Sequence, residues 1–356
     1  MRLLLGLGLT ATLVAAACGS GDGNGDTNAD RYGDKPVELR LLTHDSFNVT
    51  KKVLTAFERE SGIKVKIVKS GDAGAALNQA ILTKRNPRGD VFFGVDNTFL
   101  TRAFDEDLFV PYASPRLDEV DDRFEVDDEH RVTPIDHGDV CINYDKEFFS
   151  TGGTAPPASF EDLANAELKG KLVVEHPATS SPGLAFLLAT IAHFGEDGWQ
   201  EYWRRLRAND VKVDAGWEEA YYSSFSGGSG EGDRPVVVSY ASSPPAEVFF
   251  AETPPDEAPT GVTTTTCFEQ IEFAGILEGT DHEAEARQLI DFMLSTNFQE
   301  DIPLQMFVFP VVDDAELPDV FAKHAAKVDD PLRIDAEEIG RNRDDWIDQW
   351  TAIVVG

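Results

Sequence analysis

Lysine and arginine are scarce in this chain, 31 against 64 aspartates and glutamates, giving a formal net charge of -33 over 356 residues. A surface of that sign repels nucleic-acid phosphates and argues against a nucleic-acid-binding role. It suits attraction of a cationic ligand, and equally a solvated surface adapted to high salt. Signature loops are missing as well: there is no Walker loop, no G-x-S-x-G, no H-E-x-x-H and no C-x-x-C, so the usual sequence marks of nucleotide, acyl-transfer, zinc-peptidase and dithiol chemistry are absent. The seven histidines are scattered and read as surface or internally satisfied residues, so no metal site is expected. The apolar run at the N-terminus, Leu3 to Ala17, is too short to cross a bilayer.

That run follows a single arginine and ends in Ala15-Ala16-Ala17-Cys18. It reads as a signal peptide over 1–17, and its end resembles the lipobox of bacterial lipoproteins, with Cys18 as the lipidated residue. Residues 18–36 are rich in Gly, Asp and Asn with nothing to bury, the composition of a flexible tether. Export to the periplasm or the outer face of the cytoplasmic membrane as a lipoprotein is the expectation, with membrane contact only through the lipid. Cys141 and Cys267 then remain; both lie in strand-like runs and either pair or stay as buried thiols.

Hydrophobic content of 42% and aromatic content of 10% fit a globular chain, and the length favours two domains. From Val37 onward, strand-like and helix-like segments alternate, which predicts an α/β architecture with mainly parallel sheets. In open α/β sheets, ligands bind beyond the carboxyl ends of the strands. Six such ends carry small, polar or aromatic residues: His44-Asp45-Ser46, Gly71-Asp72-Ala73-Gly74, Asp96-Asn97, Thr179-Ser180-Ser181, Gly216-Trp217 and Ala241-Ser242-Ser243. Any one is ordinary turn chemistry. Together they predict a binding cleft.

The fourth of these ends, in "VVEHPATSSPGLAFLLATIAHFG", poses its own question. Ser180 or Ser181 suits a helix cap with Pro182 in the first turn. The same hydroxyls and the free N–H groups of a helix start also suit an anion or a ligand hydroxyl. Asp45, Asp72, Asp96 and Asp136 read as helix caps or acceptors for a ligand's amino group in preference to paired catalytic carboxylates.

At these loops the sequence resembles the thiamine-binding periplasmic proteins of bacterial ABC importers. The resemblance rests on "THDSF" at Thr43, "GVDN" at Gly94, "TSSPGLAFLL" at Thr179, "GWEEAY" at Gly216, "VVVSYASSP" at Val236, "FQEDIP" at Phe298, "FPVVDDAELP" at Phe309 and "WIDQW" at Trp346. These run in family order from about Val37 to Val354. The resemblance implies an α/β, two-lobed periplasmic solute-binding fold of type II with its ligand cleft between the lobes. It implies a first lobe at 37–138, a second at 139–263, and a return to the first over 264–356, crossing near Gly138 to Ile142 and Thr264 to Ile271. Cys141 and Cys267 would then be a disulfide pair between the crossing strands.

The resemblance further implies ligand contacts from Asp72 and Ala73 on one lobe. On the other it implies Ser180, Ser181, Trp217, Tyr240, Ala241, Ser242 and Ser243. Further cleft residues would be His44, Asp45, Asp96, Asn97, Asp136 and Phe307. His44 stands where the family often has Tyr, Phe307 where it has Trp, and Ala246 where another aromatic is common. The implied function is capture of thiamine or its phosphate esters by a monomer, without cofactor or chemistry, and delivery to the permease and ATPase subunits of an importer. The alternatives are a ferric-ion-binding protein of the same superfamily, for which adjacent Tyr221-Tyr222 would be the ligands, and an exported hydrolase using Asp45 and Asp96. Adjacent residues on a helix diverge by about 100°, which predicts one tyrosine in the core and one at the surface.

Overall fold

The computed structural model describes residues 36–356. The leader, Cys18 and nearly all of the expected tether lie outside the described residues. One mixed sheet organises the rest, in the order β2-β1-β3-β9-β5-β8-β6-β7. Its strands are β1 (Glu38–Thr43), β2 (Lys64–Lys69), β3 (Val91–Asp96), β4 (Phe109–Val110), β5 (Thr133–Asp145), β6 (Leu172–Glu175), β7 (Lys212–Asp214), β8 (Val236–Tyr240), β9 (Thr260–Leu277) and β10 (Phe309–Pro310).

Two parallel wings flank an antiparallel centre. β1 pairs parallel with β2 and β3, and β6 pairs parallel with β7 and β8. Between them β5 and β9 run antiparallel along most of their length, from Thr133↔Ala274 to Asp145↔Thr260. Mainly parallel pairing therefore holds in the wings and fails at the centre, because two long strands each pass through both wings. Each wing with its helices is one lobe. The boundaries expected at 138/139 and 263/264 fall inside β5 and β9, which are continuous there. The register shifts between Val140 and Ile142, and at this irregularity Cys141 and Cys267 are joined by a disulfide (S–S 1.98 Å).

The helices follow from their sequences. α1 (Lys51–Ser61) is capped by the Thr50 side chain, which accepts from Val53 N–H, and ends at Gly62 with φ 76°, a left-handed conformation that glycine adopts without a Cβ clash. α2 (Ala73–Leu82) starts at Asp72. α3 (Ser181–Phe194) is apolar on every side and buried from Ser181 through Ile191, as expected of a helix enclosed within a core and not lying on its surface. α4 (Trp199–Ala208) sits beside it, with Trp203 Nε1–H donating to Thr190 Oγ1 at 2.9 Å. α5 (Pro244–Phe249) follows β8.

The last helix, α6 (Ala336–Val354), buries Trp346 and Trp350. The Trp350 ring meets Trp203 edge-on at 5.4 Å, while Gly340 lies against Thr101. This helix thus packs against both lobes. Residues Glu219–Ser224, expected as α-helix, wind as a π-helix, with Phe225 N–H donating to Ala220 C=O at 2.9 Å.

The disulfide closes a loop with a sequence separation of 126, and a cross-link of that span removes much freedom from the unfolded chain. Two results are expected. Peptide mapping of denatured, unreduced protein should find neither Cys141 nor Cys267 as a free thiol. Replacing both by serine should lower the unfolding free energy by about 2–5 kcal/mol in denaturant titration.

Candidate functional site

The carboxyl ends of the parallel strands in both wings open onto one cavity of about 320 Å³. β1 delivers His44 and Asp45, and β2 delivers Lys69, Asp72 and Ala73. The start of α3 brings Ser181, and the turn after β7 brings Trp217. β8 and α5 bring Tyr240, Ser243 and Phe250, while the segment before β10 brings Phe307. Six of the nine residues expected to touch ligand line this cavity: Asp72, Ala73, Ser181, Trp217, Tyr240 and Ser243. Of the further expected residues, His44, Asp45 and Phe307 line it too.

The others sit elsewhere, for visible reasons. Ser180 is fully buried and its Oγ faces Gly183 N–H at 3.5 Å as the α3 cap. Ala241 packs against the disulfide. Ser242 is fully buried, with no partner for its hydroxyl among the described residues. Asn97 ties β3 to β9: its Oδ1 accepts from Ile271 N–H at 2.9 Å and its Nδ2 donates to Glu269 O at 3.0 Å. Asp96 and Asp136 lie beneath the cleft floor at zero exposure. Both are acidic residues at strand positions that face inward, so they support the floor from below.

The floor is a row of carboxyls across three neighbouring strands. Glu272 on β9 is paired in register with Asp96 on β3 and with Asp136 on β5, and like charges at such positions repel. Burial and neighbouring charges shift these acids in opposite directions. Burial and then the neighbouring Glu272 charge raise Asp136 well above the usual carboxylate range. Its two oxygens have no hydrogen-bond partner among the described residues. Burial alone would raise Glu272, but His44, 3.4 Å away, holds it below its ordinary value. Burial alone would lower His44; Glu272 overcomes this and raises it. The floor therefore presents the His44–Glu272 pair, each shifted towards its charged form by the other, with Asp136 behind it shifted towards its neutral form.

Glu272 is the residue that reading the sequence missed. The signal was present: Gln270 and Glu272 are polar at alternate positions of the strand "CFEQIEFAGIL", beside Glu269 on its other face. Gln270 also has a task, with its Nε2 donating to the Tyr240 hydroxyl at 3.1 Å.

The walls are aromatic and acidic. Trp217 stacks on Tyr221 with ring centres 5.0 Å apart and planes 22° off parallel, and its indole N–H donates to Ser239 Oγ at 2.9 Å. Tyr222 and Tyr240 meet the same indole edge-on. Across the mouth, Phe250 and Phe307 lie 5.5 Å apart. Phe307 is held at φ 56°, an unusual backbone conformation for an aromatic residue. Four lining residues are acidic, Asp45, Asp72, Glu218 and Glu272. Against them stands Lys69, whose ammonium is already tied to the Asp45 carbonyl at 2.5 Å. Such a cavity suits a flat, cationic molecule.

The hydroxyls of the Thr179-Ser180-Ser181 junction are engaged within the protein. Thr179 Oγ1 donates to Ala215 O at 2.7 Å, Ser180 caps α3, and Ser181 Oγ donates to Asp96. Ser181 and the ring of Pro182 still border the cavity.

Burial pushes the Asp96 carboxyl up to about 6, against the opposing bonds from Ser181 and Thr98. The unfolded chain would release this proton near the ordinary aspartate value of about 3.9. As pH falls from 7 towards 4, the folded state therefore binds a proton that the unfolded state does not, and stability rises. Asp96→Asn cannot titrate. Denaturant titrations at pH 7 and pH 4 should show wild type gaining on the order of 2–3 kcal/mol relative to the variant; parallel curves would contradict the assignment.

Comparison with known proteins adds a family. Residues 86–330 match the model of the bacterial extracellular solute-binding proteins. The thiamine-binding periplasmic protein of Salmonella typhimurium is 29% identical over 325 residues, spanning 90% of this chain and 94% of that relative. The protein of the same name from Escherichia coli is also 29% identical, over 327 residues, with the same coverage. Among solved structures, a periplasmic thiamin-binding protein superposes with a TM-score of 0.78 at 26% identity, covering 90% of this chain and 96% of that one. A ferric-binding protein from Campylobacter jejuni shares the fold, with a TM-score of 0.69 at 19% identity over 88% and 99% of the two chains.

Proposed function

This chain belongs to the bacterial extracellular solute-binding proteins, and from that premise we propose that it captures thiamine, or a phosphate ester of it, outside the cytoplasm and hands it to an ABC importer. Division into lobes at 37–138 plus 264–356 and at 139–263 goes with this reading. So do anchoring through a lipidated Cys18, action as a monomer, and transfer to permease and ATPase subunits. It acts by binding and release, with no chemistry on the ligand.

One observation carries the ligand assignment: an aromatic cavity between the lobes whose lining has four carboxylates and a single, internally tied lysine. Thiamine offers a thiazolium cation to the rings, worth roughly 0.5–2 kcal/mol per good contact. Its aminopyrimidine can donate to the acidic floor, where Glu272 remains an acceptor. Its hydroxyethyl arm, or the phosphate on it, fits towards the positive N-terminal end of α3 at Ser181.

The ferric reading finds less support. Tyr221 is buried and its hydroxyl donates to Glu247 at 2.8 Å, while Tyr222 is 45% exposed. The two hydroxyls thus have different surroundings. The hydrolase reading loses its pair too, because Asp96 is covered by Ser181 and does not border the cavity.

Calorimetric titration with thiamine should give one site per chain and quench tryptophan fluorescence. Trp217→Ala should weaken binding at least ten-fold, about 1.4 kcal/mol, with little change in the ligand-free melting temperature. Absence of thiamine binding together with tight ferric binding would overturn the proposal. A large fall in ligand-free stability of the variant would mark Trp217 as a packing residue.

A further inference from the structure

Along one side of the cavity the loops of the two lobes touch directly. Asp72, at the start of α2 on the first lobe, accepts from Ala73 N–H with Oδ1 at 2.6 Å and from Trp217 N–H on the second lobe with Oδ2 at 2.8 Å. Nearby, Ala75 N–H donates to Thr179 O at 3.2 Å, and Ser181 Oγ donates to Asp96. Every one of these bonds joins the first lobe to the second, apart from the Ala73 cap.

An independent feature marks the same seam. Glycine occupies both sides where backbones approach. A Cβ on Gly74 would lie 2.9 Å from the Thr179 carbonyl carbon, and one on Gly216 would lie 2.8 Å from Asp72 Oδ2. Gly216 does not have a positive φ, so its backbone there is open to any residue and the need for glycine comes from the contact alone. The Asp72 side chain is short and fixed to its own helix by the Ala73 bond, so it has no easy retreat.

We propose that Asp72 is the latch of the closed cleft, a positioning residue that holds the Trp217 backbone across the lobe seam, with Gly216 as the clearance that lets it seat. Both carboxylate oxygens are then engaged by backbone N–H groups, and Asp72 acts on the ligand through Trp217. Seating the indole in the cavity and closing the lobes become one event. This deepens the solute-binding reading and rests on it for the choice of thiamine as probe.

The variants are Asp72→Ala, Asp72→Asn and Gly216→Ala in the otherwise intact chain. Stopped-flow fluorescence with thiamine should show dissociation at least ten-fold faster for Asp72→Ala and Gly216→Ala, with association rates within about three-fold of wild type. Asp72→Asn, which keeps one acceptor oxygen, should fall between. Small-angle X-ray scattering of the thiamine-saturated proteins should show both severe variants more extended than wild type, with ligand-free melting temperatures unchanged within a few degrees. Wild-type dissociation rates and wild-type compaction in Gly216→Ala would overturn the latch, since that variant leaves every hydrogen-bonding group in place. If wild type does not bind thiamine, the ligand assignment fails separately. The latch is then judged on ligand-free scattering, where wild type must be more compact than Gly216→Ala.

Discussion

The antiparallel pairing of β5 with β9 is the constraint on which the rest of the molecule depends. Both strands pass through both lobes, so every ladder bond between Thr133 and Asp145 also fixes how one wing is set against the other. Parallel wings alone would leave their strand ends pointing in unrelated directions. Joined through this pair, the ends of β1, β2, β6, β7 and β8 converge on one cavity. The pair also carries polar side chains where an ordinary central strand would carry valine or leucine. Asp136, Gln270 and Glu272 are all buried, and each underlies or lines the cleft. A buried carboxylate is costly unless it is paired or protonated; here Glu272 lies 3.4 Å from His44, and burial shifts Asp136 towards its neutral form.

Proton placement and ligand class are consequently linked. A floor of three ionised carboxylates would repel itself and destabilise the sheet. A floor of three neutral acids would have no preference for charge. Raising Asp136 while lowering Glu272 beside His44 favours charge on the one of the two acids that lines the cavity. The net charge of -33 adds a long-range field of the same sign. Salt screens that field over about 8–10 Å, so the local floor and not the global charge sets specificity at close range.

Much of this is legible in the sequence. The α/β alternation gave the wings, and the rule that ligands sit beyond strand carboxyl ends singled out loops of which five supply cavity-lining residues. The exception is Asp96-Asn97, whose side chains turn down into the sheet to cap the helix-bound turn and to grip β9. Strand ends and loop composition say where a backbone emerges, but not whether a given side chain faces ligand or core. Adjacent residues split on that point: Ser181 borders the cavity while Ser180 caps α3, and Ser243 borders it while Ala241 and Ser242 are enclosed. Glu272 escaped because an acidic residue within a strand has meaning only once its lateral neighbours on β3 and β5 are known. Such register is a long-range property, invisible to local pattern.

The hydroxyl-rich junction at Thr179-Ser180-Ser181 brings these strands of argument together. As a local motif it is a helix cap, and Ser180 fills that role. A cap needs only one hydroxyl, however, and the flanking two reach away from the helix. Thr179 binds the Ala215 carbonyl just ahead of Gly216-Trp217, and Ser181 binds Asp96 on the first lobe. The Thr179 carbonyl meanwhile accepts from Ala75. The same three residues therefore start the buried helix α3, brace the turn that presents Trp217, and meet the opposite lobe. Replacing any one hydroxyl removes a different contact, so the cluster is a joint between elements whose separate parts happen to be contiguous in sequence. The Ser181 hydroxyl and the Thr179 carbonyl find their partners on the first lobe, and that ties the local chemistry of a helix start to the geometry of the whole cleft.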